Sequence, residues 1–129
     1  MTDEPRVVDG RDGGGQVLRT ALSLATLTGT PVRVEHVRGS RPEPGLKPQH
    51  LAAVRLLADR SDAEVEGADL GSETVTLRPG DARQTSLAAS VPTAGSVTLL
   101  FDALLPVAAA ADEAVSLTAT GGTNVKWAP

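Results

Sequence analysis

Residues 7–24 read Val-Val-Asp-Gly-Arg-Asp-Gly-Gly-Gly-Gln-Val-Leu-Arg-Thr-Ala-Leu-Ser-Leu, so an acidic residue and three glycines separate a short apolar strand from an amphipathic helix. Glycines let backbone N–H groups approach an anion closely, and the first turn of a helix adds unpaired donors and a partial positive charge. Asp12 could hold a divalent metal there, because hard cations prefer carboxylate and phosphate oxygens. The segment therefore predicts a phosphate site, although Gly13 to Gly15 alone could also form only a tight turn.

A second segment carries the argument further, because the glycine spacing matches neither the P-loop, whose Lys-Ser/Thr pair is missing, nor the dinucleotide fingerprint. Residues 37–50 read Val-Arg-Gly-Ser-Arg-Pro-Glu-Pro-Gly-Leu-Lys-Pro-Gln-His. With this segment the chain resembles the RNA 3'-terminal phosphate cyclase family, which carries an acidic residue before Gly-Gly-Gly-Gln-Ile-Leu-Arg, then Arg-x-x-Arg, then Pro-Gly-Leu-x-x-Gln-His opening a helix. The matching residues here are 12–19, 38–41 and 44–50, with further matches at 64–72, 78–80, 93–96 and 121–124.

The resemblance implies an activity. Cyclases of this family take AMP from ATP onto a histidine, pass it to an RNA 3'-phosphate, and let the neighbouring 2'-hydroxyl displace AMP to leave a 2',3'-cyclic phosphate. The family's nucleophilic histidine lies near its far C-terminal end, and neither His36 nor His50 matches it. We therefore expect the N-terminal portion of an ATP-dependent ligase, with no catalytic nucleophile and no turnover of its own.

The resemblance also implies the cofactors, ATP with Mg²⁺ or another divalent ion, and the residues that bind them. The expected ATP and phosphate ligands are Asp12, Gly13, Gly14, Gln16, Arg19, Arg38, Arg41 and Gln49, with Asp12 also as the metal ligand. Guanidinium groups match phosphate geometry well, but surface arginines are common and an Asp in a glycine-rich turn is often only a turn former. For His50 we expect a packing or capping role.

Periodicity and turn residues predict an alternating order of strands and helices. The predicted strands are 6–9, buried, and 32–37, 63–68, 74–77, 87–90 and 114–120; the predicted helices are 17–27, ended by Gly29, 48–60, and 97–111, interrupted or restarted at Pro106. This order predicts an α+β fold. The resemblance implies repeated β-α-β-α-β-β units, as in cyclases and enolpyruvate transferases, with one complete unit at residues 1–80 and part of a second at 81–129.

Composition narrows the class of protein. A net charge of −4, with only two lysines, argues against a generally basic nucleic-acid binder, so contacts to phosphate must be local. There is no cysteine, no leader-like segment and no long apolar run, so we expect a cytoplasmic protein without a membrane partner.

The expected partners are RNA 3'-phosphate ends and ATP. A half-repeat would leave an open sheet edge, which a second copy or a complementing C-terminal fragment could cover. The alternative is a non-catalytic relative that acts in ribosome assembly or RNA binding. Such a protein would need a partner surface rather than Asp12 and the arginines.

Overall fold

The computed structural model describes residues 4–91, 93, 95–121 and 123–127. Within these residues the chain forms three helices and seven strands. The elements are β1 (Arg6–Asp9), α1 (Gly15–Thr28), β2 (Val32–Glu35), α2 (Pro48–Ser61), β3 (Glu64–Glu66), β4 (Val75–Arg78), β5 (Ser86–Ser90), α3 (Gly95–Ala109), β6 (Ser116–Gly121) and β7 (Thr123–Trp127). The strands form two sheets, in the orders β1-β2-β4-β3 and β5-β6-β7. The predicted α+β class is confirmed.

Each sheet contains a parallel strand pair joined through a helix. α1 connects β1 to β2, and α3 connects β5 to β6. An antiparallel strand then pairs with the second member, β4 with β2 and β7 with β6. A parallel pair requires such a crossover, which places the helices over the sheets. The larger repeat and its boundary at residue 80 stay predictions.

β1, β2 and β3 differ from the sequence prediction, and β6 also begins two residues later than predicted, at Ser116. β2 ends at Glu35 because His36 and Arg38 adopt left-handed backbone angles, with φ of 53° and 51°. β3 ends at Glu66 because Gly67 turns the chain with a φ of 81°. β1 is mostly exposed rather than buried, since it lies at the end of its sheet and Val7 is 58% exposed.

β7 differs from the sequence prediction, which has no strand after residue 120. Its sequence, Thr-Asn-Val-Lys-Trp, does alternate apolar and polar residues, the pattern typical of a strand. The adjacent glycines were given more weight than this alternation. The family matches at 93–96 and 121–124 include Ala94 and Gly122, which lie outside the described residues.

The helix bounds follow from local chemistry. α1 begins at Gly15, two residues earlier than predicted, and ends at Gly29, whose φ of 69° gives the left-handed cap expected there. α2 begins at Pro48, where a missing N–H does no harm. α3 passes through Pro106 without the predicted interruption. Pro106 and the preceding turn at Asp102 are exposed, so water can bond the carbonyl that loses its helical partner.

The core lies where the three helices pack against one another and against the inner faces of both sheets. Its fully buried side chains are mostly leucine and valine: Leu18, Leu22, Val34, Val54, Leu56, Leu57, Val75, Leu77, Leu100, Leu104 and Leu117. The Ser23 hydroxyl donates a 2.6 Å hydrogen bond to the Ala103 carbonyl, which fixes α1 against α3. No helix within the described ranges is long and apolar enough to cross a membrane.

Candidate functional site

Two loops meet at the start of α1. The first follows β1 and carries the glycines, and the second follows β2 and carries Arg38 and Arg41. The Ser40 amide donates to the Arg11 carbonyl at 3.0 Å, and the Gly10 amide donates to the Glu35 carbonyl at 2.8 Å. These backbone bonds hold the second loop against the first, beside the first turn of α1.

The first turn of α1 offers free donors. Gly14 is the N-cap residue in an extended conformation, and no side chain caps the helix. The first N–H groups of a helix have no partner within it, and they carry its partial positive charge. A side chain at Gly13 would overlap Val17, so the glycine is also needed for packing. This end of α1 is therefore open to an anion.

Three side chains close around these glycines. A Cβ atom at Gly14 would lie 2.8 Å from Nη2 of Arg41, and one at Gly15 would lie 3.1 Å from Nη1 of Arg19. The same Cβ atom at Gly15 would overlap the imidazole ring of His50. Residues from α1, from the second loop and from α2 thus converge on one stretch of backbone, which we call the arginine cluster: Gly14, Gly15, Arg19, Arg41 and His50.

Arg38 stands beside this cluster but is already engaged. Its Nη1 donates to the carbonyls of Glu43 at 2.6 Å and Gly45 at 3.0 Å, so the side chain holds the second loop in its conformation. Its charge still acts on its surroundings, since it is among the causes that lower the pKa of His50. The expectation that Arg38 contacts phosphate stays a prediction.

Among the residues that the structure describes, no carboxylate forms an ion pair with the arginines of the cluster. Nearby, Lys47 and Glu43 form an ion pair at 2.7 Å, and the hydrogen bond and charge of Lys47 lower the pKa of Glu43. Within the described residues no carboxylate oxygen lies within 4.0 Å of a guanidinium nitrogen of Arg19 or Arg41. Unpaired guanidinium groups beside a helix N-terminus favour binding of a polyanion.

The fold determines which ring nitrogen of His50 accepts a hydrogen bond. His50 is 5% exposed, and its Nδ1 accepts a 3.1 Å hydrogen bond from the Lys47 amide, which confirms the expected capping role. Burial first, and then the charges of Arg38, Arg19 and Lys47, together lower the pKa of His50 to about 4. At neutral pH the ring is therefore uncharged, with its proton on Nε2, the nitrogen beside Gly15. The sequence predicted the capping role of His50 but not its contact with Gly15, which brings the ring into the arginine cluster.

A cavity of about 480 Å³ lies beside the arginine cluster, between α1 and α3. Gln16 and Arg19 line it from α1, and Asp102 and Pro106 line it from α3. Arg19 therefore belongs both to this cavity and to the arginine cluster.

Comparison with known protein families shows the family to which this chain belongs. The family model described as RNA 3'-terminal phosphate cyclase matches residues 11–129. The chain belongs to this family. Proteins named RNA 3'-terminal phosphate cyclase from Pyrococcus furiosus, Methanopyrus kandleri and Halobacterium salinarum are 45%, 48% and 44% identical to it over 125, 118 and 134 residues.

Those alignments cover 95%, 92% and 95% of this chain but only 36%, 34% and 40% of the three relatives. The chain thus spans little more than a third of the length of the curated cyclases that it matches. The resemblance read from the sequence is confirmed as family membership, while the activity of the whole cyclase is not carried by this observation.

The remaining predicted ligands lie near the cluster without a described bond to it. Asp12 is exposed and follows Arg11, whose carbonyl holds the second loop; Gln49 is half-buried and precedes His50. Neither makes a side-chain hydrogen bond or ion pair within the part of the chain that the structure describes, and no three metal-binding side chains group together there. Of the cyclase-like ligand set, the structure brings together Gly14, Arg19 and Arg41.

Proposed function

We propose that this chain provides the ATP-binding part of a cytoplasmic, ATP-dependent RNA 3'-phosphate cyclase, which converts RNA 3'-phosphate ends to 2',3'-cyclic phosphates. One observation carries the proposal: Arg19 and Arg41 lie against the uncapped start of α1 without a carboxylate partner among the described residues. Guanidinium forks and backbone N–H groups together recognise phosphate oxygens, and their charges offset the repulsion between adjacent phosphates.

The orientation of the two histidines supports a binding role for this part of the cyclase. A nucleophilic imidazole needs a free lone pair to attack phosphorus. In His50 the Nδ1 lone pair accepts a hydrogen bond from the Lys47 amide, and Nε2 carries the proton. In His36 the Nε2 atom accepts from Arg11 at 3.1 Å. The histidine that receives AMP then belongs to the remainder of the protein, supplied in the same chain or by a complementing fragment.

The chemistry at Asp12 fits a magnesium ion bound jointly with substrate. Mg²⁺ usually takes one or two carboxylates, and phosphate and water oxygens complete its shell. Asp12 would supply the protein ligand of such an ion. The ion would neutralise charge on the phosphates when bound.

Calorimetric titration of the 129-residue chain with Mg·ATP tests the proposal. We expect Arg41→Ala and Arg19→Ala each to weaken binding about tenfold or more, which corresponds to at least about 1.4 kcal/mol for a charge-assisted hydrogen bond. Arg55→Ala is the matched control, because Arg55 is an exposed arginine of α2 outside the cluster. Equal affinities in all four proteins would refute the proposal and favour a non-catalytic interaction module.

Incubation with α-labelled ATP tests the missing nucleophile. We expect no covalently labelled protein from this chain alone. An acid-labile labelled band that survives in His36→Ala but disappears in His50→Ala would assign the nucleophile to this chain and contradict the proposal.

A further inference from the structure

A groove runs along β5 on the side away from the arginine cluster. Two cavities of about 440 and 410 Å³ lie end to end, and they share Asp59 and Ala88 in their walls. The first contacts β5 from Ser86 to Ala88, and the second contacts it from Ala88 to Ser90. Together they follow the whole strand, with α2 as the opposite wall.

The groove opens on the unpaired edge of β5. Among the described strands, β5 pairs only with β6 and ends its sheet, so its alternate N–H and C=O groups point away from β6. No residue of β6 lines either cavity, which places both on that free side. The wall of the groove also includes Ala63, directly before β3, and Leu70, which is 63% exposed. β3 is itself the end strand of the other sheet, so the groove lies between two sheet edges.

The lining selects a type of partner. Ala52, Leu56 and Leu70 give it small apolar contacts. Its charged residues are Asp59 and Asp62 against the single Arg55, and neither aspartate is in an ion pair within the described residues. Glu64 and Glu66 of β3 are exposed nearby. A basic extended segment complements this surface in both shape and charge.

We propose that this groove binds an extended, lysine-rich or arginine-rich segment of a partner protein, which adds to β5 as a further strand. Backbone hydrogen bonds to the free edge of β5 hold the segment. Its basic side chains pair with Asp59 and Asp62, and its alternate apolar side chains contact Leu56 and Leu70. The groove shares no residue with the arginine cluster, so this partner binds independently of ATP.

Fluorescence anisotropy with the 129-residue chain and the labelled peptide Lys-Val-Lys-Val-Lys-Val, blocked at both ends, tests the proposal. We expect saturable binding at low salt and at least tenfold weaker binding to the double variant Asp59→Lys, Asp62→Lys. The control Asp112→Lys, Glu113→Lys makes the same charge change on a different cavity and should retain the affinity. Ala88→Trp should also weaken binding, because it fills the point that both cavities share.

Three results would overturn the proposal. An equal loss of peptide affinity in both charge variants would mean that the peptide is attracted by the overall negative charge of the protein and not by the groove. Equal binding of a peptide with every backbone nitrogen methylated would exclude strand addition. A concentration-dependent dimer in sedimentation that Ala88→Trp abolishes would make a second copy of the chain the occupant. Mg·ATP affinity, measured in the same variants, should stay unchanged, and circular dichroism checks that each variant is folded.

Discussion

Two arginine-rich regions lie at opposite ends of the same helices, and they use the residue differently. At the start of α1, Arg19 and Arg41 lie beside uncapped N–H groups. At the other end, the last turns of α1, α2 and α3 line a cavity of about 340 Å³ that also contains Arg60 and Arg83. A helix C-terminus is negative and stabilises cations, whereas an N-terminus is positive and repels them. The position of Arg19 and Arg41 beside a helix N-terminus is therefore electrostatically favourable only when an anion is bound between them and the helix.

The hydrogen bonds agree with this difference. Nη1 of Arg60 donates to the Gln84 carbonyl at 2.7 Å, and Nη1 of Arg83 donates to the Gly80 carbonyl at 2.6 Å. Arg60 is 6% exposed, and its burial lowers the pKa of its guanidinium. Arg60 connects the end of α2 to the segment before β5, and Arg83 holds that segment in its conformation through the segment's own carbonyls. They serve the fold, while those at the start of α1 serve binding.

The largest effect should come from Arg60→Ala. This change removes a buried side chain and leaves the Gln84 carbonyl without its donor, so we expect unfolding to become easier by about 3 kcal/mol. Urea denaturation measures it, with Arg55→Ala expected within about 0.5 kcal/mol of the parent protein. Mg·ATP affinity of the folded Arg60→Ala protein should not change. A loss of affinity there would remove the distinction between the two regions.

Acid should act mainly on the region of the cluster, through His50. Its pKa in the folded chain is about 4, below its ordinary value, so between pH 6.5 and 4 the unfolded chain binds the extra proton. The unfolding free energy should therefore fall as the pH falls through this window, by about 2 kcal/mol at pH 4.5 from this residue. His50→Asn keeps an acceptor for the Lys47 amide but cannot titrate. Urea titrations at pH 7 and 4.5 should show a smaller decrease in this variant.

Two glycines at the ends of α1 give a matched pair. Gly15→Ala places a methyl group against the His50 ring, and we expect weaker Mg·ATP binding by about tenfold through displacement of His50 and Arg19. Gly29→Ala meets no atom closer than 4.0 Å but strains a left-handed cap, so it should lower stability by about 1 kcal/mol. Calorimetry and urea denaturation separate these outcomes. Equal effects of both changes on ATP binding would contradict the comparison.

The smallest effect should be a gain in stability. Arg41→Ala removes a positive charge from the positive end of α1, and we expect the unfolding free energy without ligand to rise by about 0.5 kcal/mol. Thermal unfolding in low salt measures the change, and added salt should reduce it. A clear loss of stability would mean that Arg41 supports the fold as Arg60 does.

Local patterns were enough to predict most of the architecture. The glycine run before an apolar stripe gave α1, Pro48 gave the start of α2, and Gly29 gave the left-handed cap. The family motifs also gave the arginines near α1. Burial was harder, because the exposure of β1 depends on which strands flank it in the sheet, and sequence alternation carries no information on that.

The sequence predicted several residues of the site but not the contacts that each of them makes. Nothing in the sequence distinguishes Arg38, whose guanidinium donates to two carbonyls of its own loop, from Arg41, which lies against Gly14. The difference arises because positive backbone angles at His36 and Arg38 turn the loop back on itself. The ring orientation of His50 likewise depends on the Lys47 amide, a contact that exists only once α2 has formed.

Arg19 has a consequence for how a ligand senses the rest of the molecule. Its guanidinium reaches Gly15, and its side chain also lines the cavity between α1 and α3 that contains Asp102. One cation cannot pair with two anions at full strength, so an anion bound in that cavity would weaken the binding of an anion at the arginine cluster. The coupling is reciprocal: an anion at the arginine cluster would weaken binding in the cavity by the same factor.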